Sequence, residues 1–253
     1  MINLNLPKSF KIILNDENTT EQSVQDFIEG NTILFHPPFE LNHGVSSHQL
    51  ISKFQLDTTL ITDFAYLTKS SVVWWLVLVE LEHPSKKIFT KNGVTSAEFN
   101  AAIHQVNTWR TFVKRNAGEV IRKIDPLRKP LVRNKIFFKY VLVIGRTTEF
   151  QGDQMKVDAF EELQRDDLRI LTYDSLIHAY QKKSNELLDV ISQKGGKFAF
   201  KRRHRDEVDI FSWLTSNDFH LEAEDITYYK NLGYDMDRWL TGELLCRNGK
   251  KAE

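Results

Sequence analysis

The sequence predicts an α/β fold in which helices flank a mixed β-sheet. Two apolar runs, VVWWLVLV at 72–79 and IFFKYVLVI at 136–144, predict buried strands. The first is rich in valine and tryptophan and shows no polar alternation, which is typical of a central strand covered on both faces. Between them, apolar residues repeat at spacings of three and four and predict a long amphipathic helix over 97–115. Strands therefore alternate with helices along the chain.

Capping signals place the starts of two helices. Thr19-x-x-Gln22 resembles a capping box and Gly30 offers a stop, while Thr95-x-x-Glu98 precedes the long amphipathic pattern. The predicted elements, in chain order, are a helix at 20–29, strands at about 50–56, 60–68 and 72–79, a helix at 97–115, a strand at 136–144, a helix at 154–165, a strand at 168–173 and a helix at 174–190.

The length of 253 residues suits one sizeable core with a smaller appendage. The pair Gly195-Gly196 predicts a boundary, because consecutive glycines favour a break between packed segments. We therefore expect a main domain at 1–192 and a small α-rich C-terminal extension at 193–253. The extension begins with KFAFKRRHR at 197–205, which is interpreted as a basic, exposed linker, and continues as an acidic, mainly helical segment.

Composition excludes several classes of protein. With 41% hydrophobic and 27% charged residues, the composition is that of an ordinary globular protein. Its longest apolar run is far shorter than the ~20 residues of a membrane-spanning helix, and no secretory signal precedes it. Cys246 alone can form neither an intramolecular disulfide nor a four-cysteine zinc site, so we expect a cytoplasmic protein. The absence of HExxH and of a phosphate-loop motif argues against a zinc hydrolase and a nucleotide cofactor.

Charge is segregated, although the formal net charge is zero. Residues 110–139 hold ten Lys or Arg against two acidic residues, a net +8, and residues 206–243 hold ten Asp or Glu against two basic residues, a net −8. The basic segment is either a surface for the phosphates of a nucleic acid or an ordinary solvated face. The acidic segment either docks on the basic one and masks it or forms a plain subdomain.

Three carboxylates are predicted to meet at the end of the first buried strand. Glu80 and Glu82 are two residues apart, so their side chains leave the same face of the sheet. A tight loop before this strand would place Asp63, on the preceding strand, opposite a residue between about 76 and 80. Carboxylates gathered in this way repel one another unless a cation compensates them, and Mg²⁺ or Mn²⁺ prefers such oxygen ligands. An isolated E-x-E also occurs as a solvated pair at a strand end.

The segments EQSVQDFIEGN, TDFAYL, VLVELEHPSKKIFT and AEFNAAIHQVNTWRTFV, in this order, resemble the core of the Shedu nuclease family. That family belongs to the PD-(D/E)XK superfamily, and the resemblance covers about 20–180, including the later IGR and LTYDSL. It implies a restriction-endonuclease-like mixed sheet flanked by helices. It makes Asp63 and Glu80 metal ligands, Glu21 a supporting helix acid and Gln105 the glutamine that orders the site. It also implies DNA as the substrate, homo-oligomers and a role in phage defence.

One position departs from the superfamily pattern. Two residues after the strand acid the superfamily usually has a lysine that orients the attacking water, whereas this chain has Glu82. Glu82 is then either a third metal ligand or a general base, and Lys86 or Lys87 can supply the missing positive charge from the following loop. The alternative is a catalytically silent nucleic-acid-binding or regulatory module that keeps the nuclease fold. Glu21, at the same helical phase as apolar residues of its helix, is expected on the packed side.

Overall fold

The computed structural model describes residues 5–182 and 186–246. Within those residues the chain forms a mixed α/β fold with eight strands and seven α-helices, and no helix there is long and apolar enough to cross a membrane. The strands are β1 Gln49–Ser52, β2 Phe64–Lys69, β3 Val73–Leu81, β4 Lys135–Val143, β5 Leu168–Leu171, β6 Asp189–Lys194, β7 Lys197–Arg202 and β8 Phe219–His220. The helices are α1 Leu6–Asn15, α2 Glu21–Gly30, α3 Ala97–Ile124, α4 Gln154–Glu162, α5 Tyr173–Lys182, α6 Ala223–Asn231 and α7 Met236–Leu240.

All eight strands described belong to one sheet, in the order β5-β4-β3-β2-β1-β6-β7-β8. The β1, β2 and β3 strands form an antiparallel meander, whereas β3, β4 and β5 run parallel to one another. On the other side of the meander, β6 pairs parallel with β1 and antiparallel with β7. The predicted mixed sheet is confirmed, and the most apolar strands lie near its centre.

Alternate side chains of β3 point into two different cores. Trp74, Leu76 and Leu78 pack on the side that carries α3, while Val77 and Val79 pack on the side that carries α1, α2 and α5. Both layers exclude water, which is why this strand lacks the polar alternation of a half-exposed one. The expectation of a central strand covered on both faces is confirmed.

The α3 helix is nine residues longer than the sequence predicts at its C-terminus. Its apolar pattern pauses after Val113 and resumes at Val120, and Asn116 departs from helical backbone angles at φ −124°. That interruption hides the final turns from a periodicity argument. The cap is also one residue later than predicted, because the side chain of Ser96, not that of Thr95, accepts a hydrogen bond from the Phe99 N–H. The α2 cap is likewise Thr20, with Ser23 as its partner.

The prediction of a helix over 174–190 is wrong in its final part. The α5 helix ends at Lys182, residues 183–185 lie outside the described part, and β6 begins at Asp189. The apolar residues near 188–191 fit either period in isolation, and pairing with β1 makes them a strand.

The interpretation of 197–205 as an exposed linker is wrong for 197–202, which form β7. Gly195 and Gly196 have positive φ angles, 57° and 81°, and make the turn of the hairpin between β6 and β7. The expected boundary after residue 192 falls inside β6, so the sheet continues across it. Whether the segment from 193 onward is a domain of its own stays a prediction.

Candidate active site

The register of the meander places Asp63 beside Glu80. Phe64 pairs with Val79 across β2 and β3, and the Asp63 N–H donates to the carbonyl of Val79 at 3.1 Å. One step further along this register, Asp63 lies opposite Glu80, within the interval that the sequence predicts. The Asp63 carboxylate also accepts a hydrogen bond of 2.7 Å from the Leu81 N–H. This bond fixes the acid against the end of β3.

Glu80 is a buried carboxyl with an amide for a partner. Its side chain points to the α3 layer, where the Nε2 of Gln105 donates to Oε1, and only 7% of the residue is exposed. Burial, together with the charges of the Asp63, Glu82 and Glu21 carboxylates, raises the pKa of Glu80 to about 10, while Lys53 opposes the rise. The neighbouring acids therefore disfavour ionisation of Glu80, which is the acid that most needs a compensating cation.

Glu82 follows β3 and forms an ion pair with Lys86, four residues on. The same Lys86 Nζ lies 3.0 Å from the Glu21 Oε1, so one lysine links the strand-end acid to the helix acid. Burial raises the pKa of Glu82, and the Lys86 hydrogen bond counteracts part of that rise. The sequence predicts that either Lys86 or Lys87 supplies the missing positive charge, and it is Lys86 that lies beside the candidate acids. Lys87 instead donates its backbone N–H to Glu98 at 2.8 Å.

The loop carrying Lys86 is held from several sides. Gly145, with φ +67°, lies so close that a Cβ atom there would be 2.8 Å from the Lys86 carbonyl, so only glycine fits. Glu149 accepts a hydrogen bond of 2.9 Å from the Ile88 N–H, and the Tyr173 hydroxyl donates to the Glu82 carbonyl at 2.6 Å. Packing on β4, α5 and the turn after β4 therefore fixes where Lys86 can reach.

The sequence predicts that Glu21 lies on the packed side of α2, and this prediction is wrong. Its side chain is 48% exposed, because it is the first residue of the helix and lies at the rim of the site. It nevertheless has partners there, since Oε1 accepts from the His83 N–H at 3.0 Å as well as from Lys86. All five predicted site residues thus lie around the end of β3, linked by hydrogen bonds, ion pairs or mutual charge effects.

A comparison with protein-family models tests the resemblance to the Shedu family. The family model of the Shedu protein SduA, C-terminal, matches residues 18–177, which is well over half of the chain. The chain belongs to the Shedu family. This matched span contains every candidate site residue, and it indicates a role in defence against phage. No curated protein matches the chain.

Two Shedu segments that lie far apart in sequence meet at one ion pair. Arg146 of the IGR segment contacts Asp174 of the LTYDSL segment through two nitrogens, each 3.0 Å from a carboxylate oxygen. Arg146 also reaches Asn15 at the end of α1. Because these contacts tie the β4 turn to α5 and α1, we interpret both segments as supports of the site and not as part of its chemistry.

Sequence reasoning missed a polar row on α2. Gln25 and Glu29 follow Glu21 at intervals of four, so the three share a side of the helix. Gln25 Nε2 donates to the Asp63 carbonyl at 3.2 Å, and the fully buried Glu29 accepts from the Ser52 hydroxyl at 2.5 Å and from Lys201 at 2.8 Å. The i, i+4, i+8 spacing was the available signal, but two of these partners are remote in sequence.

Lys53 was also missed. It adopts a positive φ of 49° just after β1, and its Nζ lies 2.6 Å from the Asp63 Oδ1. With Lys86 on Glu82, two of the three predicted metal ligands are thus paired with lysines. In this arrangement no three His, Cys, Asp or Glu side chains of the described residues are grouped so that they could hold a metal ion. The oxygen-rich donor set fits Mg²⁺ or Mn²⁺ chemically, and binding would compete with the two lysines.

The two histidines next to site residues differ in their surroundings. His83 Nε2 lies 2.7 Å from the Thr19 carbonyl and its Nδ1 lies 2.7 Å from the Ser85 hydroxyl, so both ring nitrogens have structural partners. His104 lines a groove of about 390 Å³ along α3, together with Leu60. Both residues are close to site residues in the sequence, since Leu60 lies three residues before Asp63 and His104 directly precedes Gln105.

Proposed function

We propose that this Shedu protein is a PD-(D/E)XK-type metal-dependent nuclease that hydrolyses phosphodiester bonds of DNA in defence against phage. The observation that carries the proposal is the meeting of Asp63, Glu80, Glu82 and Gln105 with Lys86 at the end of β3. A strand acid, a facing acid, a helix glutamine and a lysine are the parts that such a site requires. In this chain the lysine comes from the loop, four residues after Glu82.

Each residue then has a defined task. Asp63, Glu80 and Glu82 would hold Mg²⁺ or Mn²⁺, and Gln105 orients the Glu80 carboxyl from α3. The metal ion would polarise the phosphate and lower the pKa of a bound water. Lys86, released from Glu82, offers its ammonium group to the negative charge that develops on the phosphate.

The groove along α3 supports a nucleic-acid substrate. It is lined by the polar side chains of His104, Asn107, Thr108 and Arg115, together with apolar Leu60, and His104 directly precedes Gln105 on α3. Hydroxyl, amide and guanidinium groups bind sugar and phosphate oxygens, whereas an apolar wall suits a base. The basic segment 110–139 continues from this part of α3. DNA is therefore the proposed partner, and homo-oligomers remain part of the proposal.

A specific observation also favours the silent alternative. Lys53 and Lys86 already compensate two of the acids without a metal ion, so the site is internally paired. A chain that only binds nucleic acid would retain this pairing permanently. The two functions differ in whether a divalent cation displaces the lysines.

The test is a cleavage assay of the full chain with duplex DNA, single-stranded DNA and RNA, in Mg²⁺, Mn²⁺ or chelator. We expect DNA products that require metal and are abolished by Asp63→Asn, whereas Asp158→Asn, a control on the exposed side of α4, leaves the rate unchanged. Mn²⁺ should raise the melting temperature of the native chain but not that of Asp63→Asn. Nucleic-acid binding without cleavage, and without the Mn²⁺ shift, would support the silent module instead.

A further inference from the structure

A polar cavity of about 570 Å³ lies between the end of β7 and α6, and Lys201 in its lining contacts Glu29 of α2. It falls outside the residues that the Shedu model matches, and none of the candidate active-site residues lines it. Its wall carries four groups that are cationic or can become so, Lys201, Arg203, His204 and Arg205. Cavities of roughly 300–1,000 Å³ are the usual size of small-molecule sites.

Two guanidinium nitrogens on this wall lack partners. The Nη1 atoms of Arg203 and Arg205 are buried and make no hydrogen bond within the described residues. A buried donor left unsatisfied costs about 1–3 kcal/mol, and more when it is charged. Because each Nη1 carries two hydrogens, both lining arginines have hydrogen-bonding capacity that the described residues do not meet.

The acceptors on the same wall are already engaged. Asp225 lies 3.1 Å from the Arg203 Nε, and Asp206 accepts a hydrogen bond from the Tyr228 hydroxyl. Asp189, nearby, accepts the backbone N–H groups of His204 at 2.7 Å and Arg205 at 3.1 Å. The nearby carboxylates thus hold the arginine segment in place. The groups that still lack hydrogen-bond partners are donors, the Nη1 atoms of Arg203 and Arg205. A ligand that fits must bring acceptor oxygens.

The Arg203 guanidinium is held in a fixed plane. It lies over the Tyr228 ring at 4.1 Å, while its Nε is anchored on Asp225. Stacking leaves the outer edge of a guanidinium available, and that edge matches two oxygens of a phosphate group. Arg205, two residues further along the chain, supplies a second guanidinium group to the lining.

We propose that this cavity is a binding site for the phosphate group of a small phosphorylated ligand of mononucleotide size, held by Arg203 and Arg205. The site is independent of the proposed nuclease reaction, because no residue of that reaction lines it. The same phosphate chemistry can come from a free small molecule or from the backbone of DNA, and the experiment separates the two sources.

The experiment is isothermal titration calorimetry on the full chain at constant ionic strength, without divalent metal. The probes are pyrophosphate, AMP, adenosine and a short DNA duplex. We expect pyrophosphate and AMP to bind at one site and adenosine not to bind. Arg205→Ala should weaken both affinities by about tenfold or more, the loss of one charge-assisted contact. This variant is preferable to Arg203→Ala, because the Arg203 side chain is anchored on Asp225 and stacked on Tyr228, whereas the hydrogen bonds that Asp189 accepts near Arg205 come from backbone N–H groups.

Arg238→Ala is the matched control, since it also removes an arginine from the part of the chain after β7, one that pairs with Glu243 and does not line the cavity. Its affinities for AMP and pyrophosphate should equal those of the native chain. The proposal is overturned if neither probe binds at millimolar concentration, if Arg205→Ala binds as tightly as the control, or if adenosine binds as well as AMP. Binding of the duplex alone, lost in Arg205→Ala, would overturn the small ligand and assign the cavity to DNA.

Discussion

Glu29 on α2 and Glu80 on β3 are both buried glutamates, but their partners differ. Glu29 is fully buried and contacts the Lys201 ammonium at 2.8 Å, with the Ser52 hydroxyl on the same carboxylate. Glu80 is 7% exposed and receives one amide hydrogen bond, from Gln105, with no ion pair among the described residues. The folded chain therefore supplies a cation to one acid and not to the other.

This difference is the reason to propose that Glu29 is a structural acid and Glu80 a functional one. A buried carboxylate with its own lysine stabilises the arrangement in which it sits, because the ion pair and its hydrogen bonds offset desolvation. A buried carboxyl with acidic neighbours and no cation destabilises its surroundings when it ionises. A protein retains such a position when an external cation binds there, which is the reasoning behind the proposed metal site.

The largest effect is expected for Glu80→Gln. Loss of a proposed metal ligand should reduce DNA cleavage by about a hundredfold or more. The fold should persist, because glutamine keeps the shape and can still pair with Gln105. Cleavage rates and melting temperatures with and without Mn²⁺ measure both effects. Retained cleavage, or a large loss of stability in chelator, would place Glu80 with Glu29 as a structural acid.

In the absence of metal, Glu80→Gln should also change how the stability of the chain depends on pH. Since the pKa of Glu80 is about 10 in the folded chain and 4.5 is its ordinary value, the folded state holds the proton more tightly than the unfolded state. Glu80 therefore contributes stability below pH 4.5 that is lost as pH rises toward 10. Glu80→Gln should flatten this decline and be the more stable chain at neutral pH. Urea unfolding at several pH values checks the sign.

Glu29→Gln should lower the stability of the chain, whereas Glu80→Gln should raise it at neutral pH. Removing the carboxylate leaves Lys201 without its partner, and we expect a loss of about 3 kcal/mol, the low end for a broken buried ion pair, because Lys201 is 36% exposed. Urea unfolding in chelator measures it, with Glu162→Gln on the exposed side of α4 as the control. If Glu29→Gln and Glu80→Gln change stability equally, the distinction between the two acids fails.

Lys86→Met tests whether the loop lysine replaces the one missing from the strand. We expect cleavage to fall by about tenfold or more, because an ammonium group no longer faces the reacting phosphate. Lys87→Met is the matched control, since Lys87 engages the neighbouring structure through its backbone N–H. Equal rates in the two variants would restrict Lys86 to an ion pair with Glu82 and Glu21.

Lys53→Met should strengthen metal binding. Lys53 pairs with Asp63 at 2.6 Å, so a metal ion on Asp63 must displace it. Without this competitor, the Mn²⁺ affinity should rise by about tenfold, whereas Lys91→Met, an exposed control, changes nothing. Calorimetric titration with Mn²⁺ decides the outcome. An unchanged affinity would remove Asp63 from the metal ligands.

The parts of the site that lie on regular elements could be predicted from sequence. Strand alternation puts Glu80 and Glu82 on one face, and the meander puts Asp63 opposite Glu80. Both inferences use the two-residue period of a strand, which packing did not override. The resemblance to Shedu proteins then added Gln105 and the roles.

The remaining parts depend on contacts between distant segments. Lys201 meets Glu29 across 172 positions, and no local pattern connects a strand after the Gly195-Gly196 turn with a helix near the N-terminus. Lys53 reaches Asp63 from an irregular turn with positive φ, which periodicity does not describe. The exposed rim position of Glu21 follows from where α2 begins, one residue after its Thr20 cap.

The smallest expected effect is on DNA affinity, and it tests whether the acidic segment 206–243 masks the basic segment 110–139. Asp218 pairs with Lys129 at 2.6 Å, and this ion pair joins the two segments. Other acids of the segment pair elsewhere, with Arg203, Lys194 or residues of their own segment. Removing everything after residue 192 is therefore a poor test of masking, since it would delete part of β6 and the whole of β7 and β8. A single substitution at the contact is cleaner.

Asp218→Asn should increase DNA affinity by about threefold and make its salt dependence steeper by about one counterion, because Lys129 becomes free for a phosphate. Asparagine can still accept the two hydrogen bonds that Thr215 gives to Asp218, so the local turn is kept. Glu222→Gln, which loses an exposed ion pair with Lys194, is the control. Binding measured over a salt series checks the prediction. If Asp218→Asn matches Glu222→Gln in affinity and slope, the contact is structural and Lys129 does not bind DNA.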